Sequence, residues 1–324
     1  MSWDMKQEHA LIVDGSHWTV GVDYQELRRG GVVMGIWKDD AAIADHFAQG
    51  AAAGLLNGAF GWISPLMDGK QQALEFLSHC DALGAKLTAG DAEQDWISND
   101  EYMLFNRGKL AWSQVRKVAG KQIVSVVKAY MAVINEHEAD TGIPGPMYSR
   151  NEWLNQYFKG EDLFLTAQKD WSALYTLKKV VKASNWAQVR QVLPTKSIMQ
   201  LDKFAKKEPD FWQVNGDCVI VPGMKSPIEI DLFRGGNQAL FDYLHVNGLP
   251  APAPLPYDAV TLKAGVPALN VRPGPADFSR SLRMIVSGET VRLKKQAAVT
   301  VADGGKWREL WGESGWVNQG YLNL

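Results

Sequence analysis

Four carboxylates, Asp14, Asp91, Glu93 and Asp231, stand where a strand-and-helix architecture would gather them. Asp14 directly follows the apolar run 10–13, Asp91 and Glu93 follow the run 85–89, and Asp231 follows the run 227–230. In a parallel barrel the C-terminal ends of the strands converge on one mouth. Asp91 and Glu93 are two residues apart, so in extended geometry both side chains point the same way. Crowded carboxylates repel, and the raised pKa that results can keep one of them protonated near neutral pH. A protonated acid beside ionised carboxylates suits cleavage of a glycosidic bond. The same set suits a hard divalent cation. Each acid also suits the plain role of capping the helix after its strand. Spacing alone leaves all three open.

The elements that must position these acids are read from periodicity. Apolar runs predict strands over 10–13, 31–37, 58–62 and 85–89, and helical patterns cover 24–29, 41–53, 71–83 and 121–137. Residues 146–149 and 162–165 come next, then late strands over 210–214 and 227–230 and a last helix over 237–245. This alternation argues for an α/β fold with helices outside a parallel sheet, either a barrel or a doubly wound sheet. The stretch 169–207 reads as mostly helical and breaks the rhythm. From Pro250 to Pro256 a proline stands at every second position, which favours extended backbone and ends any helix. The expected organisation is therefore a first domain over 1–248, a linker over 249–256 and a second domain over 257–324. In the second, β-rich pieces at 269–271, 290–293, 298–301, 307–310 and 315–317 alternate with turn residues and predict a small all-β barrel.

Composition narrows the function. The chain has 324 residues, 46% hydrophobic and 22% charged, with a net charge of −2, an ordinary globular balance too little basic for a nucleic-acid partner. The tail 257–324 is mildly basic, nine basic against six acidic residues. Cys80 and Cys218 form no disulfide framework, and neither histidine ligand spacing nor a phosphate-binding loop occurs. No apolar run approaches the ~18 residues that span a bilayer, so membrane insertion is not expected. The opening nonapeptide, with Asp4 and Glu8, does not read as a secretory signal, which predicts synthesis in the cytosol without export by the usual route. Thirteen tryptophans are many for this length. Trp18, Trp62 and Trp212 fall at strand ends, where sugar stacking and core packing compete as readings; Trp96 and Trp171 read as structural or loop residues. His17 adjoins the expected cleft, as a substrate contact or as a structural histidine.

Several strings together resemble glycoside hydrolase family 25, the lysozyme-type muramidases. Ile12-Val13-Asp14-Gly15-Ser16-His17-Trp18 is similar to the family's opening strand. Residues 53–62, the helix around Phe76, the pair Asp91 and Glu93, Met147-Tyr148-Ser149 with Trp153, Phe211-Trp212-Gln213 and Ile230-Asp231-Leu232-Phe233 follow in the family's order. The resemblance covers 10–246. It implies a flattened β/α barrel that cleaves the β-1,4 bond between N-acetylmuramic acid and N-acetylglucosamine in bacterial peptidoglycan, without metal or organic cofactor. It implies Glu93 as general acid, Asp91 as charge stabiliser or orienter of the substrate's acetamido group, and Asp14 and Asp231 as the rest of an acidic floor. Trp18, Trp62, Tyr148 and Trp212 are the expected substrate contacts.

Two departures stand out. Lys38-Asp39-Asp40 replaces the family's Lys-Ala-Thr-Glu, leaving Asp39 or Asp40 as stand-ins for the glutamate. Phe60 and Gly61 replace its Tyr-His, which would take a hydroxyl and an imidazole from the cleft. The tail resembles a bacterial SH3 domain, on 269–275, 288–291, Trp307, Gly315-Trp316-Val317 and Tyr321-Leu322, which implies a wall-binding module. The expected protein is a phage-type endolysin released to the wall when the membrane is opened. A non-catalytic wall-binding scaffold and a glycosidase for another amino-sugar polymer are the alternatives. The oligomeric state is not legible.

Overall fold

The computed structural model describes residues 9–175, 180–193, 209–216, 218–249, 257–287, 291–302, 304–310 and 314–323. Its contacts divide the chain into two compact units, Met1–Ala253 and Pro254–Leu324. The prolines at 250–256 and residues 288–290, on which a linker and part of a strand were expected, lie outside the described residues.

In the first unit eight strands close a barrel. They are β1 (Ala10–Gly15), β2 (Val32–Lys38), β3 (Leu56–Trp62), β4 (Thr88–Asp91), β5 (Met147–Arg150), β6 (Asp170–Ala173), β7 (Phe211–Gln213) and β8 (Glu229–Phe233). Each strand pairs with its neighbours in sequence, and β8 closes on β1. Seven strands run parallel, while β8 is antiparallel to both β1 and β7. The α/β barrel is thus the fold, with one strand reversed.

Strand alternation splits the apolar residues between two layers. Ile12, Met34, Ile36, Leu87, Trp171 and Phe211 fill the barrel interior. Leu11, Val13, Trp37, Trp212 and Ile230 pack outward against helices. Burial on both faces explains why β1 and β2 read as unbroken apolar runs. The outer layer is built from α1 (Tyr24–Arg29), α2 (Ile43–Ala52), α3 (Gly69–Leu83), α5 (Gly120–Thr141) and shorter helices, with α4 (Asn99–Asn106) in the long connection from β4 to α5. Asp68 caps α3 by accepting from Gln71 N at 2.8 Å, and Gly84 ends it at φ 70°, a conformation that favours glycine.

Residues 162–165, to which the sequence reading gave no element type, belong to a helix, α7 (Asp162–Ala167). One expectation is corrected. The stretch 169–207 is not mostly helical where it is described: it holds β6, a two-residue strand Val181–Lys182 paired with Val219–Ile220, and α8 (Trp186–Val192). Asp170–Ala173, four residues of mixed polarity, offers no strand signature in isolation.

Among its described residues the second unit is all β apart from one 3-10 turn, with antiparallel pairings throughout its strands. Val271, Ile285, Leu293, Leu310, Val317 and Leu322 form its core. Strands Tyr257–Leu262 and Arg283–Val286 add to those expected from the sequence.

Candidate active site

One cleft of about 480 Å³ opens at the C-terminal ends of the parallel strands, and Asp14, Asp91 and Glu93 line it. Asp14 is the penultimate residue of β1, inside the strand rather than after it. Asp91 ends β4 and lies in register between Trp62 of β3 and Tyr148 of β5. The chain stays extended beyond it: Ala92 N donates to Tyr148 O at 2.9 Å, and Ser149 Oγ donates to Ala92 O at 2.7 Å. That clamp carries Glu93 onto the same face as Asp91.

Asp231 reaches the site by a different route from the one expected. It sits in the middle of antiparallel β8, opposite Ile12, and is wholly buried. A strand-end position was inferred because the apolar run stops at Ile230; the strand continues through Phe233. Trp171 Nε1 donates to Asp231 Oδ1 at 2.7 Å. Asp231 therefore lies beneath Asp14, below the cleft surface.

The electrostatics follow from crowding and burial. Burial holds Asp91 well above the usual carboxylate range, and the charge of Glu93 adds to the rise while Lys38 opposes it. Burial likewise lifts Glu93, with Arg150 and Lys38 pulling it back and Asp14 pushing it up. Asp231 is held high by burial and by Asp14 beside it. Asp91 Oδ1 is buried and has no hydrogen-bond partner among the described residues. The site can thus hold a proton on an acid that faces the cleft, beside further carboxyls below it. Among the described residues no group of three or more His, Cys, Asp or Glu is arranged to hold a metal ion.

Of the aromatic contacts expected, three line the cleft. Trp18 is 77% exposed on the loop after β1, presenting a bare ring at the rim. Trp62 donates to Gln94 Oε1 at 2.8 Å and carries Lys38 Nζ 4.4 Å above its ring. Tyr148 is buried at the floor. Trp212 does not belong to the site. It is fully buried on the outer face of β7 and donates to Leu174 O at 3.0 Å. Its neighbour Gln213 faces inward instead, accepting from Tyr148 Oη at 2.7 Å and donating to Asp14 Oδ2 at 3.0 Å. Period-two alternation allows only one of the pair into the cleft, and a glutamine at an interior barrel position was the signal to follow. Trp171, read as structural, lines the cleft as well as holding Asp231.

The departures also find their places. Asp40 accepts from His17 N and pairs with His17 Nδ1, both at 2.9 Å, and accepts from Ala42 N at 2.9 Å, so it fastens the loop bearing Trp18. Asp39 faces His79 at 3.4 Å. Neither lines the cleft. Phe60 does, but Gly61 points the other way: a Cβ there would lie 2.1 Å from Tyr130 Oη in the helix layer. Phe60 thus brings a ring without a hydroxyl to the cleft, and a side chain at 61 would not point into it.

The model of the glycosyl hydrolases family 25 matches residues 13–193, more than half of the chain. The chain belongs to that family. Its members are glycoside hydrolases, and so is this protein. Solved structures share the family's fold at low identity. A lysozyme from Streptomyces coelicolor is 14% identical, with 72% of this chain and 96% of that one covered at a TM-score of 0.51. A family 25 lysozyme from Aspergillus fumigatus is 17% identical over 73% and 99%, at 0.50. A muramidase from Acremonium alcalophilum is 15% identical over 72% and 98%, also at 0.50. No curated protein matches the chain. No helix among the described residues is long and apolar enough to cross a membrane.

Proposed function

We propose that the protein is a muramidase, cleaving the β-1,4 bond between N-acetylmuramic acid and N-acetylglucosamine in bacterial peptidoglycan. The observation that carries this reading is the acidic cleft of a family 25 barrel in which Glu93 faces the opening with its carboxyl held above the ordinary range by burial. Glu93 is the general acid: protonated, it delivers its proton to the glycosidic oxygen as the bond breaks. Asp91 lies behind it with one oxygen unpartnered, suited to meet the acetamido group and to balance positive charge on the sugar. Asp14 and Asp231 complete the acidic floor, with Gln213 and Trp171 fixing their orientation. Trp18 and Trp62 offer faces on which sugar rings stack.

Residues 1–248 act as the hydrolase, 249–256 as linker and 257–324 as an SH3-like wall-binding module, in a lytic enzyme of the endolysin kind. The exposed rings of Phe278 and Tyr321, with Arg272 above the Phe278 ring at 5.4 Å, support a binding role for the tail. The test is release of reducing ends from purified peptidoglycan, with mass spectrometry of the products. Glu93→Gln keeps the fold and lowers the rate by about 10²–10⁴-fold, the usual worth of a general acid. Muramic acid at the new reducing ends supports the bond assignment; an unchanged rate removes Glu93 from the mechanism. The ring without a hydroxyl at Phe60 favours a second reading, another amino-sugar polymer as substrate, and chitin oligomers assayed in parallel distinguish it.

A further inference from the structure

A second hollow, of about 610 Å³, lies against the other side of Glu93. It is built largely by the connection from β4 to α5 and shares Glu93 and Tyr175 with the cleft. Its walls are aromatic: Trp96 stacks on Tyr102 with ring centres 3.8 Å apart and planes within 2°, and Trp112 stands 41% exposed. Its charges have both signs: Arg150 stands among Glu93, Asp95 and Glu152, and Asp95 is paired with Lys117 Nζ at 2.9 Å. A neutral sugar needs hydroxyl partners more than full charges. A ligand with carboxylates, an amine and apolar side chains matches this lining better.

Arg150 stands at the boundary between the hollow and the cleft. Its Nε lies 3.1 Å from Glu93 Oε2. The Arg150 side chain is 45% exposed against 20% for that of Glu93, and it is the longer of the two, so Arg150 is the partner with room to swing. We propose that Arg150 is a specificity-determining residue, which leaves Glu93 to bind a carboxylate of the peptide carried by the muramic acid residue as that peptide enters the hollow. The inference rests on the muramidase reading. While Arg150 faces Glu93 it favours the ionised carboxylate. Drawn away, it leaves Glu93 facing Asp91 from β4, Asp14 from β1, Lys38 from β2, Tyr148 from β5 and Tyr175 beyond β6. With one fewer cation among these groups, Glu93 takes up a proton from solvent and becomes the acid that cleavage needs. Substrate stripped of its peptide keeps only the lactyl carboxylate attached to the ring, without the further carboxylates and apolar side chains that the lining of the hollow matches.

The test uses the full chain on two substrates: glycan strands carrying their peptides, and the same strands stripped of peptide by an amidase. Wild type is expected to cleave the peptide-bearing strands more efficiently by about tenfold, the factor that one charge-assisted contact supplies. The alkaline limb of its kcat profile lies higher on those strands, since kcat reports ionisation in the bound complex. Arg150→Gln brings the ratio close to one and moves the alkaline limb on stripped strands upward; Arg150→Lys, which keeps a cation, retains part of the preference. Equal efficiency of wild type on the two substrates overturns the inference without any variant having to fold. A preference that survives in Arg150→Gln overturns it too. Release from neither substrate is a different result, and it removes the muramidase reading together with this one.

Discussion

At the scale of single residues the site sets stability against chemistry. Asp231 is wholly buried; Trp171 Nε1 donates to it at 2.7 Å, and it shares a side-chain hydrogen bond with Asp14. Its carboxyl titrates well above the ordinary range because burial and the nearby Asp14 disfavour its charge. The folded state therefore binds this proton more tightly than the unfolded state. The stability it lends is fully present below the unfolded pKa of about 4 and is lost as pH rises through the folded value. Asparagine keeps an acceptor for Trp171 and does not ionise. Asp231→Asn is accordingly expected to stabilise the protein at neutral pH by about 1–2 kcal/mol and to lower its activity, a trade common at functional sites. Urea unfolding at pH 7 and again near pH 4 checks this, because the gap must shrink on acidification. A gap of the same size at both pH values would mean that the ionisation of Asp231 is not its source.

At the scale of elements, strand alternation decides which side chains can serve the cleft. The outer face of β3 shows how tightly it is enforced: Gly61 lies against Tyr130 of α5, whose buried hydroxyl has no hydrogen-bond partner among the described residues. A methyl group at 61 would sit 2.1 Å from that oxygen and 2.9 Å from the Phe76 ring. Gly61→Ala is expected to destabilise by about 1–3 kcal/mol, as overpacking does. Adding Tyr130→Phe removes the 2.1 Å contact and an unsatisfied hydroxyl while leaving the Phe76 ring close, so the double variant recovers part of the loss. Thermal unfolding of the two single variants and the double tests the coupling; simple additivity would mean that the strand shifts instead. The same alternation explains what the sequence disclosed. Asp14, Asp91 and Glu93 were legible because each adjoins an apolar run and the pair is spaced by two. Trp212 was misassigned because neighbouring residues on β7 share a strand end but not a face. The reversal of β8 leaves no trace in five residues, since pairing direction is set by the closing of the barrel. The Arg150–Glu93 pair joins neighbouring strands 57 residues apart in sequence, and only the topology brings them together.

At the scale of the whole molecule, the proposed function gives the two units two tasks that differ physically. Cleavage needs a dry, shaped cleft in which a carboxyl keeps its proton, and the barrel provides buried acids on rigid strands. Holding an enzyme on an insoluble polymer needs an exposed surface that engages many copies of a repeating ligand, so that release and rebinding stay local. The tail carries nine basic and six acidic residues, while the whole chain is at −2, so on the proposed wall-binding reading its attraction to an anionic wall runs against the charge of the rest. Such attraction between exposed charges is screened within about 8–10 Å at 0.10–0.15 M salt. Sedimentation of the full chain with purified walls is therefore expected to weaken as salt rises from 0.05 to 0.5 M. Turnover of a short soluble glycan, which the barrel handles without wall attachment, changes far less over the same range. Removal of 257–324 abolishes most of the sedimentation and leaves turnover of the soluble glycan within about twofold. If instead the soluble turnover collapses with the tail, the tail takes part in catalysis or in the stability of the barrel, and the division of tasks fails.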